Sequence, residues 1–270
     1  MGTERITAAF AAARTRSQVA LIPYVPAGYP TLDKSAELVQ VLADNGADLI
    51  EIGIPFSDPL ADGATIQRAS QAALQGGITF DRALDMVRAL RPQVAVPLIF
   101  MGYYNPLHHR GVARAVADCA AAGVDGLIVP DLPPEEAGEL LAACGEHNIA
   151  LIFLVSPVSS EDRLAEVAAL ASGFIYCVSL TGVTGARAEL SRTLPDFIAR
   201  VRRHTDLPLA IGFGLSTAAH IAEVGRLADG AVVASALIDR ITAAPGAEAT
   251  AAAAFLRGLR GVDTPAPAAV

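Results

Sequence analysis

Eight short runs rich in Val, Ile, Leu and Phe alternate with longer Ala/Leu/Arg segments of helical period. This alternation constrains the fold more than any other feature of the chain. The runs start near Val19, Asp48, Pro97, Gly126, Ala150, Phe174, Pro208 and Gly230. They span 211 residues in seven steps, a mean near 30, which is the length of one strand and its returning helix. Strands that are apolar on both faces belong to a parallel sheet covered by helices.

Eight such units predict an α/β fold, a single (β/α)8 or TIM barrel spanning residues 1–260. A doubly wound open sheet is the alternative. It carries a glycine fingerprint after its first strand, where this chain has Pro26-Ala27-Gly28-Tyr29-Pro30. Weak repeats support the barrel: Gly46-Ala47-Asp48, Gly123-Val124-Asp125 and Ala228-Asp229-Gly230 each mark the passage from a helix to a strand. Residues 3–15 read as an extra N-terminal helix closing the barrel bottom. The step of 49 residues between the second and third strands makes room for an additional helical insertion, and the step of 34 between the sixth and seventh for a long loop. Residues 261–270, with Pro265 and Pro267 among alanines, read as a disordered tail.

Charge and composition narrow the function. The chain has 20 basic and 28 acidic residues, a net charge of −8, and no cluster of Lys and Arg such as a nucleic-acid backbone demands. Arg200, Arg202 and Arg203 come closest and read as one solvated helix face. No apolar run approaches the roughly 20 residues of a membrane span. Glu4, Arg5, Arg14 and Arg16 interrupt the apolar core a signal peptide needs, so a cytoplasmic location is expected. Cys119, Cys144 and Cys177 are far apart, and the histidines form no metal-binding pattern. Lys34 is the only lysine, placed in the polar stretch that opens the first long helix, which excludes Schiff-base chemistry in a buried pocket.

The chemistry concentrates at the ends of the strands. In Asp48-Leu49-Ile50-Glu51-Ile52-Gly53-Ile54, alternation puts Leu49, Glu51 and Gly53 on one face and the isoleucines on the other. Glu51 then points into the barrel near its C-terminal rim, where enzymes of this fold keep their reactive groups. Burial there raises a carboxyl group towards neutrality. A structural ion pair is the competing reading. The next loop carries Asp58 and Asp62. Asp62 alone reads as a helix cap; with Glu51 it makes a pair, one group moving protons and the other polarising a donor on the substrate.

Gly212-Phe213-Gly214-Leu215-Ser216 and Ala234-Ser235 follow the last two strands and are expected at helix starts, where backbone N–H groups cradle a phosphate without lysine. Ser179–Arg187, with Gly182 and Gly185, suits a lid, or equally a plain connector. Tyr103, Tyr104 and Asn105 are expected to end the third strand and Asp131 the fourth, and the tyrosines either flank a planar substrate or pack the core.

Taken in order, Glu51–Pro59, Ala61-Asp62-Gly63, Tyr104-Asn105-Pro106, Pro130-Asp131-Leu132-Pro133, Gly182-Val183-Thr184-Gly185 and Gly212-Phe213-Gly214 resemble the α subunit family of tryptophan synthase. The resemblance implies a barrel that cleaves indole-3-glycerol phosphate to indole and glyceraldehyde 3-phosphate without a cofactor of its own. It further implies a pyridoxal-phosphate β subunit as partner, to which indole passes through a tunnel in an α2β2 assembly. Carried over by motif, Glu51 is the general acid/base and Asp62 holds the indole N–H. Gly185, Gly214, Ala234 and Ser235 bind phosphate. Tyr24, Ile66, Tyr103, Asp131, Tyr176 and Phe213 line the substrate, Thr184 belongs to the lid, and Asp58 and Pro59 meet the β subunit.

Two positions depart from the family pattern. Ala234 stands where glycine is usual and Ala64 where proline is common. Three other readings remain: a stand-alone indole-releasing lyase with the same catalytic residues, a non-catalytic activator of the β subunit, and another phosphate-binding barrel enzyme.

Overall fold

The computed structural model describes residues 2–178, 193–212 and 214–261. Its strands are β1 (Ala20–Pro26), β2 (Ile50–Gly53), β3 (Leu98–Met101), β4 (Gly126–Ile128), β5 (Ala150–Ile152), β6 (Leu154–Val155), β7 (Ile175–Val178), β8 (Leu209–Gly212) and β9 (Gly230–Val233). They pair in parallel in the order β5-β4-β3-β2-β1-β9-β8-β7-β6. β5 and β6 are halves of one strand parted by Phe153, so the two ends of that order meet and the sheet closes. Phe153 still accepts the Tyr176 N–H through its carbonyl, so bonding towards β7 carries through the break. The nine pieces are thus the eight expected strands of a (β/α)8 barrel.

Around the barrel run α1 (Gly2–Thr15), α2 (Leu32–Asp44), α3 (Ala64–Gln75), α4 (Phe80–Leu90), α5 (Tyr104–Arg110), α6 (Val112–Ala122), α7 (Gly138–His147), α8 (Glu161–Leu170), α9 (Leu194–Arg202), α10 (Ala218–Val224), α11 (Ser235–Thr242) and α12 (Glu248–Leu259). α3 is the insertion expected after the second strand. Lys34 lies in the first turn of α2, half-exposed and bonded to Glu37 at 2.8 Å. Among the described residues no helix is long and apolar enough to cross a membrane.

Alternation along the strands produces two cores. Leu21, Val25, Ile50 and Ile52 pack outward against the helices, whereas Ala20, Ile22, Leu49, Ile99, Ile128 and Ile152 fill the barrel interior. α1 completes the inner core from below. Its Ile6, Phe10 and Ala13 enter the same cluster, and Phe10 meets Phe174 with ring centroids 5.5 Å apart. Burying Ile6 and Phe10 contributes about 1.5–3 kcal/mol for each side chain.

The repeated tripeptides prove to be clamps between neighbouring strands at the N-terminal face. Asp48 donates its N–H to the Leu21 carbonyl at 2.9 Å and accepts the Leu21 N–H on its carboxylate at 2.8 Å. Asp125 does the same with Leu98, at 2.8 and 2.9 Å, and Asp229 with Leu209, at 2.9 and 2.9 Å. Ser172 forms a fourth clamp with Leu151, its N–H donating at 3.0 Å and its hydroxyl accepting at 2.9 Å.

Each carboxylate is also held by two arginines: Asp48 by Arg16 and Arg260, the buried Asp125 by Arg5 and Arg91, and Asp229 by Arg14 and Arg202. α1 therefore reaches three clamps through Arg5, Arg14 and the adjoining Arg16. Arg202 does not belong to a free basic face as expected, and Arg200 and Arg203 both pair with Glu161.

Three sequence expectations about boundaries need correction. β3 ends at Met101, so Tyr103 and Tyr104 lie beyond it, and Tyr104 begins α5. The cap of α5 is remote: Asp131 accepts the Tyr104 N–H on both carboxylate oxygens, at 2.9 and 3.2 Å. Asp131 itself lies past the end of β4, and Gly212–Ser216 do not start a helix, because α10 begins at Ala218 with Thr217 as its cap.

Candidate active site

Glu51 sits on β2 with Tyr24 and Ile99 as its register partners on the flanking strands. Its side chain faces the interior and the residue is 1% exposed. Among the described residues, carboxylate oxygen Oε2 is buried with no hydrogen-bond partner. A carboxylate buried in this way is costly to ionise. Burial first, and the negative charge of Asp62 second, push its pKa up to about 8. Among the described residues, the structural ion pair considered from sequence finds no partner for Glu51.

Asp62 reaches the same space from the loop between β2 and α3. It is not a helix cap: Gly63 occupies the N-cap of α3 and no side chain caps that end. Burial raises the Asp62 pKa to about 6, against the opposing effect of a hydrogen bond from the Tyr103 hydroxyl. The same hydroxyl accepts the Ala61 N–H at 3.0 Å. Tyr103 thus bonds the loop at Ala61, next to Asp62, and its ring stacks on Phe56 with centroids 5.2 Å apart. Burial, then the charge of Asp62, push the Tyr103 phenol up to about 12.

Two more tyrosines close around the pair. A Cβ on Gly53 would lie 2.0 Å from the Tyr24 hydroxyl, and one on Gly212 would lie 2.1 Å from the Tyr176 hydroxyl. Glycine is required at these strand ends by the close approach of the phenols. Tyr24 is buried and Tyr176 half-buried near Asp62 and Glu51, and desolvation followed by those negative charges keeps both phenols neutral. Tyr24 packs with Ala69 and Ile238, and Ile66, Met101 and Ala234 border that cluster. The fold therefore brings together Tyr24, Glu51, Asp62, Ile66, Tyr103 and Tyr176. Sequence reading missed the roles of Gly53 and Gly212, although an inward-facing glycine two residues after Glu51 is a signal that a neighbour needs the space.

Past the ends of β8 and β9, the start of α11 offers backbone donors. The pairing of Gly212 with Val232 brings the segments that lead to Gly214 and to Ala234 and Ser235 out of neighbouring strands at the same rim. Gly214 adopts φ +63°, with open space where a side chain would project. Ser235 opens α11, whose N-cap Ala234 supplies no side-chain bond, leaving the first N–H groups available. Ala234 has φ −117°, so the backbone asks no glycine of this position. Asp131 is exposed and engaged with α5 rather than turned to the pair. Asp58 is exposed and Pro59 half-buried on the outside of the loop. Gly185, Thr184, Phe213 and residues 262–270 lie outside the described residues.

Fold and site together define a (β/α)8 barrel with a paired-carboxylate centre at its C-terminal rim. The family model described as "Tryptophan synthase alpha chain" matches residues 10–261. The tryptophan synthase alpha chain of Roseiflexus castenholzii is 56% identical over 259 residues, covering 95% of this chain and 99% of its own. That of Chloroflexus aggregans is 52% identical over 257 residues, covering 94% and 96%. Among solved structures, tryptophan synthase of Mycobacterium tuberculosis superposes with a TM-score of 0.89 at 39% identity, covering 96% of this chain and 97% of that one. The chain belongs to the tryptophan synthase α chain family.

Proposed function

We propose that this chain is a lyase that cleaves indole-3-glycerol phosphate to indole and glyceraldehyde 3-phosphate for tryptophan synthesis, without a cofactor of its own. The observation that carries the reading is the Glu51 carboxyl group, buried and unpaired at one oxygen, with a pKa of about 8 beside the more acidic Asp62. Near neutral pH Glu51 holds its proton while Asp62 is largely ionised. The two groups then have opposite roles.

The protonated Glu51 gives its proton to carbon 3 of the indole ring, and positive charge develops towards the ring nitrogen. The Asp62 carboxylate accepts the ring N–H and stabilises that charge. Glu51, now a carboxylate, takes the proton of the side-chain hydroxyl. The bond between ring and side chain breaks, its electron pair returns to the indole ring, and the hydroxyl carbon becomes the aldehyde. One carboxyl group supplies one proton and recovers one, so no net proton is consumed. Tyr24, Tyr103 and Tyr176 border the ring as neutral phenols, and Gly214 and Ser235, with Gly185 assigned by motif, hold the phosphate.

Indole then passes to a pyridoxal-phosphate β subunit in an α2β2 complex, in the cytoplasm. Leu60, beside Asp58 and Pro59, is 86% exposed. The partner surface on this loop rests on the family motif that Asp58 and Pro59 belong to. Indole release is to be measured with the chain alone and with a β subunit added. A slow rate that rises strongly with β is expected, and a fast rate indifferent to β would identify a stand-alone lyase instead. Glu51→Gln should lose on the order of a hundredfold in kcat or more. A near-normal rate in that variant would sink the assignment of Glu51.

A further inference from the structure

His220 lies on α10 behind the loop that follows β8 and is 7% exposed. Its Nδ1 accepts the Ser216 N–H at 3.3 Å, and its own backbone N–H donates to Thr217 Oγ1 at 3.2 Å. A nitrogen that accepts an amide proton carries none itself, so the neutral ring bears its hydrogen on Nε2. The turn that His220 grips is short. Its described residues are Gly214, in the left-handed region at φ +63°, Leu215 and Ser216, and the β8 ladder ends at Gly212. The ladder fixes one end of this turn and the imidazole the other.

That position matters because Gly214 and Ala234–Ser235 each lie two or three residues past the paired ends Gly212 and Val232 of neighbouring strands, at the same rim of the barrel. Two backbone donors contributed by different strands can face one anion only if the loop carrying the first is already set. Preorganised donors bind without the cost of ordering the loop on each encounter. The imidazole bond is the side-chain contact that sets Ser216. On the reading given above for the anion end, we propose that His220 is a positioning residue for phosphate: by accepting the Ser216 N–H it holds the Gly214–Ser216 turn in the shape that binds the phosphoryl group of the substrate. The phosphoryl group takes no part in bond breaking, so the effect belongs in KM rather than kcat.

The test compares His220→Leu, which fills the space but accepts no hydrogen bond, with His220→Asn, whose Oδ1 restores an acceptor. For the full chain, KM and kcat for indole-3-glycerol phosphate are measured alongside the inhibition constant of inorganic phosphate, and thermal melting confirms folding. Loss of one neutral hydrogen bond corresponds to about fivefold in affinity. His220→Leu should raise both KM and the phosphate inhibition constant by about that factor with kcat unchanged, and His220→Asn should recover most of the loss. An unchanged inhibition constant in a folded His220→Leu chain would reduce His220 to packing of α10 and overturn the proposal. Equal losses in the two variants would do the same, since bulk rather than the acceptor would then matter. Should the wild-type chain neither turn over the substrate nor bind phosphate, the functional reading itself fails, a result separable from any variant's.

Discussion

A proton on Glu51 is worth more to the folded chain than to the unfolded one, and this gives the residue two signatures. The first is thermodynamic. The folded pKa of about 8 lies above the ordinary value near 4.5, so the favourable contribution of the protonated group is complete below about 4.5 and is lost as pH rises through about 8. Glu51→Gln removes the buried charge. Its melting temperature should therefore gain on the wild type progressively between about pH 4.5 and 8, and a difference independent of pH would contradict the raised pKa. The second signature is kinetic. Catalysis needs Asp62 ionised and Glu51 protonated in the free chain, so the pH profile of kcat/KM should be bell-shaped, rising near pH 6 and falling near pH 8. Loss of the alkaline limb alone in Glu51→Gln would assign that limb. Glu51 itself was legible in the sequence, because strand alternation points it inward. The partner of Asp62 was not: the Tyr103 hydroxyl comes from a segment 41 residues away, and no local pattern distinguishes this aspartate from a helix cap.

Helices and strands show the same division between local and remote signals. α5 escaped the reading of the sequence because its cap, Asp131, lies 27 residues from Tyr104, while helices with their own threonine caps, such as α2 and α4, are legible on the spot. The clamps were half legible. Three acidic repeats are visible as a pattern, whereas Ser172 does the same work with a different residue and cannot be recognised until its partner Leu151 is known. α3 offers a test at this scale. Ala64 is its first helical residue, and the preceding Gly63 is extended at φ −76° and ψ 163°, a conformation that proline tolerates in its neighbour. Ala64→Pro should accordingly raise stability by about 0.5–1 kcal/mol with activity retained, as read from the denaturant midpoint. A loss of stability would mean that the loop requires freedom at this position.

Over the whole molecule, structural charges and reactive charges occupy opposite faces. Asp48, Asp125 and Asp229 join strands at the N-terminal end, and Glu51 and Asp62 meet at the other. Asp125→Ala should cost about 3 kcal/mol, because it strands the largely buried Arg91 and leaves the Leu98 N–H unpaired. At temperatures well below melting, kcat/KM should stay unchanged. A parallel fall in both quantities would show that the two faces are coupled. The barrel as a whole was readable from the spacing of eight strands, but this separation was not, since sequence order interleaves the two sets of residues.

The four clamps fall on alternate strand junctions, joining β1 to β2, β3 to β4, β5 to β7 and β8 to β9, with 27, 27, 21 and 20 residues between clamped partners. The circle is thus tied as four two-strand quarters, each closed by a contact within its own stretch of chain. A chain rejoined at its ends and reopened between quarters keeps every tie local. Reopened inside a quarter, it turns one of them into a meeting of distant segments, and refolding slows accordingly.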